Sequence, residues 1–136
     1  MTYFYVMKRK RTLPQLTKAE EEVMQIIWGL GHCLVRDILD KLGNADIPHS
    51  TISSVVRILE KKGFVDHKAY GKTHEYFPVV TQDDYAGQEA QSLVKKYFSG
   101  SAKSLVSFLV QGEQLDLTEL GELMKALTAD AKKKKS

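Results

Sequence analysis

The stretch from Ile47 to Pro78, IPHSTISSVVRILEKKGFVDHKAYGKTHEYFP, constrains this chain more than any other. Its first half has a helical period: Ile52, Val55, Val56 and Leu59 fall at i, i+3, i+4 and i+7 and share one apolar stripe. Pro48 suits a first helical turn, where its missing N–H is not needed, and Gly63 stands where a left-handed residue ends a helix. The opposite face carries Ser50, Thr51, Ser53, Ser54 and Arg57. A solvated helix face normally carries Glu and Lys, as the last turn here does with Glu60, Lys61 and Lys62. Short hydroxyl side chains lower helix propensity. A helix accepts that cost where a bulky charged face could not slide into a groove. After Gly63 the period drops to two: Phe64-Val65 and Tyr76-Phe77 flank a polar hairpin from His67 to His74, with Gly71 at the turn. Helix, strand, basic loop, strand is the second half of a winged helix-turn-helix.

A chain of 136 residues has room for one ordinary domain, or for a small domain with a helical appendage. The net charge of +3 permits nucleic-acid binding without requiring it, and its distribution says more. Residues 49–74 hold 5 Lys/Arg against 2 Asp/Glu, together with three of the four histidines, His49, His67 and His74. A local basic excess on one element is the footprint of a DNA-contacting surface. The single cysteine, Cys33, excludes an intramolecular disulfide and a Cys-rich zinc site, and fits a reducing cytoplasm. No apolar run approaches the ~18 residues of a membrane span, so no membrane insertion is expected. At the start, apolar residues precede Lys8-Arg9-Lys10-Arg11, the wrong order for a signal peptide. Either Met1 or Met7 serves as the start; residues 1–15 are expected to be a disordered basic arm.

Thr17-Lys18-Ala19-Glu20 has the pattern of a capping box and opens a helix to about Leu30, with Val23, Ile26, Ile27 and Leu30 inward and Gly29 and Gly31 as breakers. Trp28 reads as core or interface. A shorter helix follows over Leu34–Leu42, with Val35, Ile38, Leu39 and Leu42 inward, and the turn to Pro48 completes the helix-turn-helix. Residues 16–79 form the expected winged-helix domain. Beyond Pro78, Thr81 caps a helix to about Phe98, Leu105–Val110 is a short apolar helix, and a third runs from Asp116 to about Ala129. Three short helices with wide apolar faces cannot make a good core alone, so residues 80–129 are expected to interlock with a second copy. The residues assigned to that homodimer are Leu93, Tyr97, Leu105, Leu109, Leu117, Leu120, Leu123, Met124 and Leu127. Residues 130–136, with Lys132–Lys135, are expected to be a solvated tail. The fold class is mostly α with a small β component (α+β).

In winged-helix geometry, His49, Ser50, Thr51, Ser53, Ser54 and Arg57 face the major groove of double-stranded DNA. Arg57 is long enough for a phosphate or a guanine edge, and its place toward the C-terminal half of the helix favours a phosphate; Lys61 and Lys62 are assigned to the DNA backbone or solvent. Lys68, Tyr70, Lys72 and His74 on the wing are assigned to phosphates or the minor groove. The competing readings are a solvated helix face and a basic hairpin that keeps a sheet edge soluble. His67 and His74 can face one another across the hairpin, but no Cys or carboxylate cluster completes a metal site around them, so neither metal nor cofactor is expected. No nucleophile with a base partner, phosphate loop or pair of carboxylates can be assembled, which argues against an enzyme.

With Leu16-Thr17-Lys18-Ala19-Glu20, the Thr51–Leu59 helix, Lys61-Lys62-Gly63, the strand His74-Glu75-Tyr76-Phe77-Pro78 and then Gly100-Ser101 and Ser104–Leu109 in view, the chain resembles the penicillinase repressors of the BlaI/MecI type over roughly Leu16 to Leu127. The resemblance implies a cytoplasmic, homodimeric transcriptional repressor of β-lactamase and related resistance genes, bound to dyad operators. It also implies a membrane sensor-protease partner whose signal leads to cleavage in the C-terminal region. The family's Asn–Phe cleavage bond aligns with Ser107–Phe108, where Ser stands in place of Asn. The family usually has Arg at the position of Ile58, while Arg57 lies one residue earlier. Copper-responsive relatives use C-terminal cysteine pairs that this chain lacks. The alternatives are a winged helix for protein–protein interaction and a DNA-binding regulator that senses a small molecule between its C-terminal helices.

Overall fold

The computed structural model describes residues 12–44 and 46–135, with side chains through Ala129. The basic run Lys8–Arg11 lies outside the described residues. The chain divides into two compact units, one ending at Glu89 and the other beginning at Ala90.

In the first unit, helices α1 (Lys18–Leu30), α2 (Val35–Leu42) and α3 (His49–Lys61) precede a hairpin of β1 (Val65–Tyr70) and β2 (Thr73–Pro78). This is the winged helix-turn-helix anticipated from the periodicity. The capping box closes in both directions: the Glu20 N–H donates to Thr17 Oγ1 (3.2 Å) and the Thr17 N–H to Glu20 Oε1 (3.0 Å). Gly31, at φ 78°, ends α1, whereas Gly29 lies inside its last turn and does not break it. Pro48 is the N-cap of α3, one position before the helical turn expected for it. Val23, Met24 and Ile27 from α1, Val35 and Ile38 from α2, and Ile52, Val56 and Leu59 from α3 form the core; Val55, Leu39 and Leu42 line its margin.

The wing pairs antiparallel from Val65↔Pro78 to Tyr70↔Thr73, and Gly71 takes the left-handed backbone (φ 64°) at its two-residue turn. A third, one-residue strand completes the sheet. The Cys33 N–H donates to the Tyr76 carbonyl (2.9 Å) and the Tyr76 N–H to the Cys33 carbonyl (2.7 Å). This bridge pins the wing to the turn before α2, and no periodicity announces it.

Phe64, wholly buried, joins the end of α3 to the base of the wing. Its carbonyl accepts the N–H groups of Val79 (2.9 Å) and Val80 (3.3 Å). Tyr85, near the start of α4 (Gln82–Tyr97), meets its ring edge-on at 5.3 Å. Trp28 caps the same corner by donating Nε1–H to the Val80 carbonyl (2.8 Å). The chain just before α1 is latched to α4: the Leu16 N–H donates to the Tyr85 hydroxyl (3.0 Å), and the Gln88 amide exchanges two hydrogen bonds with the Leu13 backbone (2.8 and 2.9 Å). Residues 13–16 are therefore a packed strap, which corrects the expectation of a disordered arm reaching residue 15.

The second unit holds the end of α4, α5 (Ala102–Gln111) and α6 (Leu117–Lys135). Ser101 caps α5 through Ser104 N–H (3.1 Å), and Asp116 and Glu119 cap α6 reciprocally (3.1 and 2.7 Å). Helix α6 continues through Lys135, so the lysine run extends the helix where a tail was expected. None of residues 90–129 is buried.

One residue assigned above to the DNA backbone or solvent has a different role. Lys62 forms an ion pair with Glu20, which is only 6 % exposed, and also donates to the Gln15 carbonyl (3.0 Å). Burial pushes the Glu20 carboxyl up, but the bond from Lys62 and those from Thr17 outweigh it and hold the group below its ordinary 4.5. A carboxyl lowered on folding stabilises the fold above its unfolded value and loses that contribution as pH falls through the folded one. Glu20→Gln should lower the urea-unfolding stability at pH 7 by about 1–2 kcal/mol and flatten its decline from pH 5 to 3. An equal decline in the two proteins would show that the pair contributes nothing.

Candidate nucleic-acid interface

Helix α3 turns its apolar stripe inward and leaves His49, Ser50, Thr51, Ser54 and Arg57 exposed on one side. Ser53 is half-buried, with its Oγ 3.3 Å from His49 Nδ1, one helical turn back. The free hydroxyls of that face are therefore those of Ser50, Thr51 and Ser54, and Ser53 is engaged in orienting an imidazole. Lys61 is exposed, and Ile58, at 42 % exposure, brings an apolar patch to the same end of the helix.

The wing residues Lys68, Tyr70, Lys72 and His74 are all exposed, but the strand register separates them. Residues paired directly across an antiparallel ladder share a face. His67↔Tyr76 and Ala69↔His74 lie on the face whose Tyr76 is buried against the helices; Lys68↔Glu75 and Tyr70↔Thr73 lie on the other. His74 thus belongs with α3, while Lys68 and Tyr70 look away from it. The rings of His67 and His74 stack at 4.2 Å, as their spacing in the hairpin foretold.

Contrary to the expectation of no nearby carboxylates, Glu60 and Asp66 gather beside His67, with ligand atoms all within 4.8 Å of one another. Their contacts are internal: Glu60 Oε1 holds His67 Nδ1 at 2.8 Å, and Asp66 Oδ1 accepts the His67 N–H at 2.8 Å. The cluster works as a clamp between the last turn of α3 and the start of β1. On the outer face of the sheet, His32 packs on Phe77 and contacts Glu75 at 3.3 Å.

Between α3 and the wing lies a cleft of about 610 Å³ lined by Leu34, Val35, Arg36, His49, Ser53, Arg57, Lys72, Thr73, His74 and Tyr76. Three of these are fixed cations, two are imidazoles and none is acidic. Arg36, from the first turn of α2, is the member sequence reasoning missed. Its position beside the hairpin depends on the Cys33–Tyr76 bridge, which the local pattern does not reveal. Burial, reinforced by the Glu60 charge against the opposing Arg57, pushes the Tyr76 phenol up, so it faces the cleft as a neutral hydroxyl. Cys33, 2 % exposed, is pushed up to about 11 by burial, with the charges of Asp37 and Glu75 adding to it. A thiol so placed is a packing residue and not a reactive one.

In the second unit, Tyr97 and Leu117 are each 73 % exposed, and Leu93, Leu123, Met124 and Leu127 are exposed as well, while Leu105, Leu109 and Leu120 are half-buried. Ser107 and Phe108 are exposed on α5, where the Phe108 ring meets Phe98 at 5.6 Å. No described helix is long and apolar enough to cross a membrane.

These elements define a winged helix-turn-helix protein with a separate helical C-terminal unit. A family model described as penicillinase repressor matches residues 16–129. The penicillinase repressor of Bacillus licheniformis is 27 % identical over 126 residues, covering 92 % of this chain and 98 % of the relative. The methicillin resistance regulatory protein MecI of Staphylococcus aureus (strain N315) is 31 % identical over 114 residues, covering 83 % and 93 %. Among solved structures, the DNA-binding domain of the repressor BlaI matches with a TM-score of 0.48 and 29 % identity, over 55 % of this chain and 93 % of that one. The monomeric form of Bacillus licheniformis BlaI in complex with the blaP half-operator matches with a TM-score of 0.45 and 29 % identity, over 54 % and 92 %. The chain belongs to the penicillinase repressor family.

Proposed function

We propose that the protein is a homodimeric repressor that binds dyad operators in double-stranded DNA and is released by regulated proteolysis of its C-terminal unit. Relatives covering most of the chain are named penicillinase repressor and methicillin resistance regulatory protein. The observation that carries DNA binding is the exposed face of Ser50, Thr51, Ser54 and Arg57 beside a wing whose Lys72 and His74 line the same cleft. A narrow face of hydroxyls enters the major groove without steric conflict, its oxygens serving base edges or phosphates, while the flanking cations supply salt-dependent affinity.

The homodimer rests on a different observation. A unit with no buried residue among residues 90–129, yet with leucines, Met124 and Tyr97 in water, has not completed its core. A second copy presenting the same faces completes it symmetrically, and a two-fold dimer matches a dyad operator. Ser107–Phe108 is the candidate cleavage bond. It lies on an exposed part of α5, so a cut there would divide the apolar faces that the dimer needs. Resistance genes of the β-lactamase type are the proposed targets, and a membrane sensor-protease system the proposed upstream partner. The protein-interaction alternative has no element favouring it over the DNA reading.

Binding to duplex DNA from upstream of the protein's own gene, measured against a scrambled duplex, should be selective. The log of its affinity should fall with log salt at a slope of about −0.9 per phosphate neutralised. Arg57→Ala should weaken binding roughly tenfold and leave the dimer intact; unchanged affinity would remove Arg57 from the interface. The double variant Leu120→Asp, Leu123→Asp should sediment as a monomer and bind the operator at least about tenfold more weakly through loss of bivalency. An unchanged sedimentation coefficient would place the dimer surface elsewhere.

A further inference from the structure

We propose that the cleft between α3 and the wing seats one DNA backbone phosphate on Arg36, Arg57 and Lys72, and that seating it draws protons onto His49 and His74. The inference rests on the DNA-binding reading and adds to it a site, a new contact residue and a proton linkage.

The geometry of duplex DNA leads to the cleft. A helix in the major groove and a wing in the neighbouring minor groove are separated by the sugar–phosphate strand that divides the grooves. That strand must pass between α3 and the hairpin, and the space between them is the 610 Å³ cleft. Its wall is assembled from three elements: Arg36 from α2, His49, Ser53 and Arg57 from α3, and Lys72, Thr73 and His74 from the hairpin. The lining combines cations, hydroxyls and imidazoles, all of which can serve a phosphate oxygen, with no carboxylate to repel it.

The two histidines differ in kind from the arginines. An imidazole changes charge within the physiological pH range. His49 has Ser53 on its Nδ1 and shares the cleft with Arg36 and Arg57. His74 has Lys72 beside it in the cleft, Tyr76 against its edge and His67 stacked on its face; the nearby carboxylates of Glu60 and Asp66 are engaged with His67. The charged side chains lining the cleft beside His49 and His74 are the cations Arg36, Arg57 and Lys72, and the Glu60 carboxylate, whose charge reaches Tyr76, is engaged with His67. A phosphate supplies the missing counter-charge, so DNA and protons favour each other's binding. The fourth histidine, His32, sits on the outer face of the sheet with Glu75 and Phe77 and takes no part.

The test is fluorescence anisotropy of the full-length protein on the selected duplex at constant ionic strength between pH 8 and pH 6, where DNA phosphates do not titrate. Affinity should rise toward pH 6 by roughly fivefold to tenfold for each histidine. His49→Gln and His74→Gln should each remove about half of that rise on a logarithmic scale, and the double variant all of it. His32→Gln should keep the full rise, with thermal melts verifying that each variant folds. Arg36→Ala should weaken binding at both pH values, roughly tenfold. Selective binding with no pH dependence, or a double variant that keeps the wild-type rise, would overturn the proton linkage while sparing the DNA reading. Loss of selective binding at every pH would overturn both. In a second arm, inorganic phosphate is titrated without DNA while the imidazole NMR signals are followed. Saturation of the His49 and His74 signals at low millimolar phosphate would assign the cleft to a free phosphate ligand and overturn its assignment to the DNA backbone. Unmoved signals in that range support the backbone.

Discussion

The DNA-facing unit depends on the burial of Phe64 immediately after the recognition helix. Gly63 takes a left-handed backbone (φ 88°) that stops α3 and reverses the chain, and Phe64 is driven out of water at that point. Its carbonyl then accepts the N–H groups of Val79 and Val80, where the chain leaves β2, and its ring receives Tyr85. The wing therefore leaves α3 at an angle set by a buried aromatic pair and two backbone hydrogen bonds. The cleft between helix and wing follows from that angle. Truncating Phe64 would cost about 3–5 kcal/mol and would also release the wing that forms one wall of the site.

The elements were legible in the sequence because their causes are local. A capping box, a 3.6-residue apolar stripe, a left-handed glycine and a two-residue period are each read within a window of a few residues. What escaped was tertiary. Lys62 looks like any cation in a basic last turn, and only the fold brings it to Glu20, 42 residues earlier. The strap at Leu13–Leu16 is latched by Tyr85 and Gln88, about 70 positions away, through backbone groups that have no side-chain signature. Arg36 reads as a solvated residue on a short amphipathic helix until the Cys33–Tyr76 bridge carries the wing to its side. The exposed hydroxyl face was visible from the outset, since a helix that accepts Ser and Thr at four positions does so for a reason other than its own stability. The face-by-face division of the wing was not, because it follows from the pairing register, which the residue types of the hairpin do not set by themselves.

The two units differ in how completely they bury their apolar residues. The first has a closed core with polar groups paired, and among described side chains no buried nitrogen or oxygen lacks a partner. The second keeps its leucines half in water. In the proposed homodimer, a stable reading unit joined to a unit that completes its core against a second copy would place the affinity for a two-fold operator under the control of assembly. Each half-site contact can stay intact while avidity is lost, because tethered binding exceeds single-site binding without any new contact. Helix α4 contributes to both units: Tyr85 and Gln88 belong to the first and Leu93 and Tyr97 to the second.

The central claim is that α3 and the wing straddle one DNA strand. Its most direct test is backbone amide chemical-shift mapping of the isotope-labelled protein on addition of the selected duplex. The largest changes should fall on Ser50–Ser54, on Val35–Arg36 and on Gly71–His74, which together outline the cleft and the face beside it. Changes confined to the second unit, or to the outer face around His32 and Phe77, would contradict the account.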